Sequence, residues 1–347
     1  MSDFQIGLVV LGALVLLAVL VQSLWTARAN APRQADNSGD AGEHDGKPNF
    51  TEPVFDDSGF TNLNLAVSTP RRPAIDSLID AVAAVNLDPM VSAVSGDAAV
   101  AAFPGSWRVG SKAFLIEGFN ADAQEWETPV PGARYMAFQT AVQLANRAGA
   151  LNDIEYSEFV VKTQAFADAM NATPEFREMR DEVARAKELD HFASQNDAQL
   201  GLNLRARHAA WSPGYIAQVA AQHGFVAGQL PGRMVLPASA DGLPPLLALT
   251  FDSQAALAED PAQSAIFEIV FHMDVPQVDR AEQAFERMCH AAQAMAQTMD
   301  GIVTDDNGQA LPVQALESIS HELQQLYDRL AERDYPAGSA LARRLFS

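Results

Sequence analysis

The sequence predicts an α+β protein, with an N-terminal transmembrane helix followed by a split βαβ domain on an antiparallel sheet. Three observations carry this. An apolar stretch opens the chain, IGLVVLGALVLLAVLVQSLWTAR at residues 6–28, and is uncharged until its last letter. The C-terminal half alternates strand-like and helix-like patterns in the order β-α-β-β-β-β-α-β-α. The first half repeats that order more faintly, at a spacing of roughly 125 to 135 residues.

A hydrocarbon core about 30 Å thick needs roughly 20 apolar residues at about 1.5 Å rise each, and Ile6 to Trp25 supplies them. A secretory signal would place Lys or Arg ahead of a shorter apolar core, whereas only Asp3 precedes this one. The triplet Ala27-Arg28-Ala29 leaves cleavage as the alternative to an anchor. Trp25 suits the interfacial belt, and Arg28 and Arg33 follow it, so the positive-inside rule puts the N-terminus outside and the remainder in the cytoplasm. Residues 1–28 are thus read as the anchor. Residues 29–61, rich in Gly, Asp, Asn, Ser and Pro, read as a disordered acidic linker. About 30 such residues span roughly 30 Å as a coil.

Residues 62–197 form the next segment. Its candidates are an apolar run at 75–87, a small helix at 98–103, strands at 113–119 and 135–145, and a helix at 153–170. The short NATPEF and the charged helix MRDEVARAKELDHFASQ follow. Two readings stand: a divergent copy of the domain after it, or an unrelated α+β domain.

Residues 198–347 parse more clearly. LGLNLRAR at 200–207 alternates as a half-buried strand does. SPGYIAQVAAQHG is a helix with Ser212 at the N-cap, Pro213 at its first position and Gly224 past its end. Strands are predicted at 225–227, 233–237, 245–251 and 266–275, then a helix over 279–299 closed by Gly301. A short strand leads into an Asn307-Gly308 turn. The last helix carries Leu316, Ile319, Leu323, Leu326 and Leu330 on one stripe.

Composition limits the function. A formal charge of -21 repels a phosphate backbone, so nucleic acid is not an expected partner. The single cysteine, Cys289, cannot form an intramolecular disulfide and suits a reducing compartment, as a packing thiol and not a nucleophile. The sequence has no Gly-rich phosphate loop, zinc-spaced Cys pair or nucleophile elbow. His191, His208, His223, His272, His290 and His321 lie on separate elements. DDNGQ at 305–309 lacks the alternating ligands of a calcium loop and reads as a hairpin turn. No catalytic residue, metal, cofactor or small-molecule substrate is therefore expected.

The chain resembles the bacterial ZipA family of cell-division proteins. GALVLLAVLVQSLWTAR carries the likeness at the N-terminus. FHMDVP, AFERMCHAAQAMAQTMDG and IVTDDNGQALPVQALESI carry it at the other end, in the family's order of strand, helix, acidic turn and Pro-started helix. The resemblance spans roughly residues 1–28 and 198–335. The linker is shorter than is usual in the family, and 62–197 is an inserted domain. The resemblance implies a ZipA C-terminal-like domain and an inner-membrane, single-pass adaptor. Such an adaptor would hold polymers of tubulin-like FtsZ by their C-terminal tail, stabilising the division ring.

Strand alternation nominates the surface for such a tail. Phe267, Ile269, Phe271 and Met273 form an apolar face suited to helices, leaving Val270 and His272 outward. With Leu247, Leu249 and Phe251 inward, Leu246, Ala248 and Thr250 line the open side, joined by Met234 and Leu236. Aligned through Val275-Pro276, the family's groove aromatic falls on His272, its groove Met on Thr250 and a groove Lys on Asp252. Two alternatives come from other classes. One is a membrane-anchored enzyme using Asp153, Glu155 and Glu158 as acids; the other is a periplasmic binding module.

Overall fold

The computed structural model describes residues 74–347, apart from 241 and 306. The predicted anchor, the linker and the start of the 62–197 segment lie outside the described residues. Among the described residues no helix is long and apolar enough to cross a membrane. They divide into two compact units. The first runs to Asn196 and takes in the last four residues, Arg344–Ser347, and the second runs from Asp197 to Arg343.

In the first unit β1 (Asp80–Leu87) is followed by β2 (Val94–Ser95), α1 (Gly96–Ala101), β3 (Arg108–Val109), β4 (Lys112–Asn120), β5 (Trp126–Glu127) and β6 (Arg134–Gln143). A small hairpin, β7 (Ala145–Asn146) and β8 (Gly149–Ala150), leads to α2 (Asp153–Ala169), β9 (Ala172–Glu175) and α3 (Met179–Asn196). The main sheet runs β3-β4-β6-β1-β9, antiparallel throughout. Period-two alternation decides its faces. Ala81, Ala83 and Val85 are buried opposite Val142, Thr140 and Phe138. Thr140 Oγ1 lies 2.8 Å from Thr163 Oγ1 of α2, so this is the helix-covered side. Asn152 and Glu155 start α2 with a reciprocal capping box, which satisfies backbone N–H groups the helix cannot. Gly118 of β4 is obligatory, since a Cβ there would lie 2.5 Å from the Tyr135 ring.

The second unit runs β10 (Gln199–Ala206), α4 (Pro213–Gln222), β11 (Val226–Ala227), β12 (Arg233–Leu236), β13 (Leu247–Thr250), α5 (Ser253–Ala256), β14 (Glu268–Asp274), α6 (Ala284–Met299), β15 (Gly301–Thr304) and α7 (Val313–Glu332), and α8 (Ala340–Leu345) crosses the division after Arg343. Its sheet is ordered β11-β12-β13-β14-β10-β15, again antiparallel. The core gathers Leu202, Leu204, Leu249, Ile269 and Phe271, each at most 2% exposed. Trp211, fully buried, satisfies its ring N–H on the Met299 carbonyl at 2.8 Å.

The two sheets share one order of strands. In each, the unit's first long strand (β1 or β10) lies between the strand that precedes the long helix (β6 or β14) and the strand that follows it (β9 or β15).

Three sequence expectations are corrected. The helix predicted from 279 begins at Ala284, because Gln283 adopts a left-handed conformation (φ 49°, ψ 43°) after a 3-10 turn at Arg280–Glu282. Phe267, expected on the helix side, precedes β14 and is 51% exposed. Phe251 lies beyond the end of β13 and is half-buried.

Candidate peptide-binding face

One side of the second unit's sheet packs on helices and the other is open. The register reads out the open side without ambiguity. Val226, Val235, Ala248, His272 and Gly201 are successive cross-strand partners on β11, β12, β13, β14 and β10. The next open row is Arg233, Thr250, Val270, Asn203 and Thr304. Between them runs the core row of Met234, Leu249, Phe271 and Leu202, none more than 6% exposed.

This register places four of the seven nominated residues together and turns two, Met234 and Leu236, to the core side. Ala248, Thr250, Val270 and His272 are neighbours on the open side. Met234, Leu236 and Leu246 are buried at 6%, 5% and 3% exposure. Met234 pairs with Leu249 and Leu236 with Leu247, and cross-strand partners share a face. Alternation within β12 was legible, but its phase was not. Val226, Val235 and Gly201 belong to the face in their place, and only the pairing with β13 and β14 reveals them.

Chemically the face is an apolar strip with a polar centre. Val226 is 51% exposed, and Val235, Ala248 and Val270 are half-buried. His272 is exposed, and its Nε2 lies 2.8 Å from Thr250 Oγ1, so the two form a hydrogen-bonded pair. Asp252 is occupied locally, its side chain accepting from the Gln254 N–H at 2.8 Å to start α5. Asn203 and Thr304 are buried, and Asn203 donates to the Asp305 carbonyl at 3.2 Å, so the turn after β15 borders the β10 side. Asp305 Oδ1 accepts from the N–H groups of Asn307 and Gln309 at 2.9 and 2.8 Å, the geometry of a hairpin turn.

Several titratable groups outside this face have local partners. Glu155 caps α2 and accepts from Ser111 N–H and Oγ at 3.1 and 3.2 Å. Glu158 pairs with Lys162 at 3.1 Å one turn along, and Asp153 is exposed at the start of α2. Lys112, 1% exposed, reaches Ser111 Oγ at 2.8 Å and Asn146 Oδ1 at 3.0 Å, and burial lowers its pKa against the pull of Glu155. That closed network explains a buried ammonium without invoking chemistry. Burial, then Glu286, pushes the Cys289 thiol up to about 11, away from reactivity. Among the described residues no group of three or more His, Cys, Asp or Glu could hold a metal ion.

Residues 257–322 match a family model described as ZipA, C-terminal FtsZ-binding domain. The resemblance to ZipA holds over these residues. The matched stretch contains β14, α6, β15 and the first half of α7, hence Val270 and His272 of the open face, whereas β12 and β13 precede it. No curated protein matches the chain.

Proposed function

We propose that the chain is an inner-membrane cell-division adaptor whose ZipA-like domain holds the FtsZ C-terminal tail on the open face of its sheet. The observation that carries the reading is that the segment matching the FtsZ-binding family supplies the central strand of a solvent-facing sheet surface. On that surface Val226, Val235, Ala248 and Val270 offer apolar contact area next to the Thr250–His272 pair. The uncharged stretch at 6–25 supplies the anchor in this reading, and Arg28 and Arg33 put the domains on the cytoplasmic side. The common strand order supports reading the first unit as a divergent copy of the second.

A short peptide on one open face reaches only micromolar affinity, about -8 kcal/mol, because ordering it offsets much of the contact energy. A filament presents many tails to many anchored copies, and avidity raises attachment by roughly 10² to 10⁴ where the linkers span the geometry. Weak single sites on a tethered domain therefore suffice for reversible attachment. The test is recruitment: vesicles carrying the full chain should collect FtsZ polymers, and vesicles carrying a chain without residues 1–28 should not. An alkaline-phosphatase fusion at Ser347 should be inactive in cells; an active one would reverse the orientation and favour a periplasmic module.

A further inference from the structure

The first unit holds a peptide that the tail-binding reading does not use: the chain's own end. Arg344–Ser347 belongs to this unit. The Arg344 guanidinium meets Asp80 in a two-pronged pair, Nη2 to Oδ1 at 2.6 Å and Nη1 to Oδ2 at 3.0 Å, and Nη1 also donates to the Ala74 carbonyl. Asp80 is fully buried, while the Arg344 side chain is 23% exposed. Burial raises the Asp80 carboxyl above its ordinary range even though Arg344 pulls it down. The backbone of the tetrapeptide is read as well. Gln143 Nε2 donates to the Arg344 carbonyl at 2.7 Å, and the Arg147 N–H donates to the Ser347 carbonyl at 3.3 Å. Leu345 and Phe346 are 0% and 1% exposed.

Asp80 and Gln143 face each other on β1 and β6, in phase with the pairs Val82–Ala141 and Ala84–Gln139, and out of phase with the helix-covered Ala81 and Ala83. The tetrapeptide is therefore read at one end of the open sheet face. A buried carboxylate that pairs with the guanidinium while accepting from the Asp76 N–H at 2.9 Å, and a side-chain amide donating to the Arg344 carbonyl, make up a peptide-recognition site. A buried carboxylate left without a cationic partner would be costly.

We propose that the first domain is a peptide receptor turned on its own chain, with Arg344–Ser347 as its resident ligand and Asp80 as the group that selects arginine. The site takes a peptide through an arginine side chain and that residue's carbonyl. It is filled in the intact chain and empties only when the end is removed or displaced. The assignment does not depend on what the second domain binds.

The full chain shortened by its last four residues is titrated with a synthetic peptide of residues 342–347, ARRLFS. One peptide should bind per chain, at least tenfold more tightly than the same peptide with Gln at position 344, and the intact chain should bind neither. A shortened chain that keeps its fold by circular dichroism yet binds no peptide would overturn the assignment. If shortening unfolds the first domain, the decision passes to the intact chain carrying Arg344→Gln, followed by amide hydrogen exchange. Exchange at Arg147 should rise at least tenfold and fall again on adding ARRLFS, with Val219 in the second unit unaffected. Unchanged exchange at Arg147 would contradict the proposal.

Discussion

The two sheets of this protein follow one strand order and differ in what lies on their open faces. In the first unit that face is used internally. Glu117, 1% exposed, accepts from the N–H groups of Ala74 and Ile75 and from Gln139 Nε2, and Asp80 holds Arg344. What remains is a cleft of about 520 Å³ bordered by Val82, Ala84 and Gln139. In the second unit the corresponding strands carry no buried carboxylate on the open side; half-buried Ala248 and Val270 and exposed His272 stand there instead. Sheets of similar strand order therefore carry two kinds of open face, and the side chains facing away from the core make the difference. Buried acids draw the chain's own groups onto the face, and small apolar residues leave it available to a partner.

The sharpest way to break this contrast is to remove the cation from the first unit. Arg344→Ala leaves the buried Asp80 carboxylate with the Asp76 N–H but no cation, and breaking a buried pair from one side costs about 3 kcal/mol or more. The first unit's unfolding transition should move to lower denaturant and the second unit's should stay in place, as fluorescence and circular dichroism can resolve. A smaller loss follows from Glu117→Gln. The neutral amide oxygen accepts more weakly from Ala74 and Ile75, and its NH2 cannot accept from Gln139, so about 1 to 2 kcal/mol should be lost, again in the first unit alone.

How much of this was legible in the sequence differs between the two units. In the second, alternation in LGLNLRAR and the Ser212-Pro213 helix start gave the elements nearly to the residue, because the signals are local. The faces were only half legible. Met234 and Leu236 alternate as an exposed or a buried pair would, and only pairing with Leu249 and Leu247 fixes their side. Gln283 gave no local warning that it would break a helix at positive φ, a conformation more usual for Gly or Asn. In the first unit the decisive contact joins Asp80 to a residue 264 positions later, and no periodicity or spacing rule reaches that far. Aspartate in an apolar strand was the one available sign that something charged would come to meet it.

A further test sharpens the comparison by titration. Burial, then the neighbouring His290, lowers the pKa of His223 below its ordinary 6.5. The unfolded chain then binds more protons than the folded one as pH falls through that range, so the second unit should lose a little stability between pH 7 and pH 5. His223→Gln should flatten this slope, and the first unit's transition should show no change on that substitution. Equal slopes in wild type and variant would remove His223 from the account.

The central claim is that the open face of the second unit receives the FtsZ tail, and one substitution tests it most directly. Ala248→Glu places bulk and charge on the open row between Val235 and His272, away from Leu247 and Leu249, so folding should change by no more than about 0.5 kcal/mol. Burying that carboxylate unpaired beneath a bound peptide should cost about 1 to 3 kcal/mol, roughly a tenfold to hundredfold loss of affinity. Calorimetric titration of the chain from residue 74 to 347 with an FtsZ tail peptide decides the matter. The account predicts micromolar binding by the wild type and at least tenfold weaker binding by Ala248→Glu at unchanged stability; equal binding by the two, or none by the wild type, would contradict it.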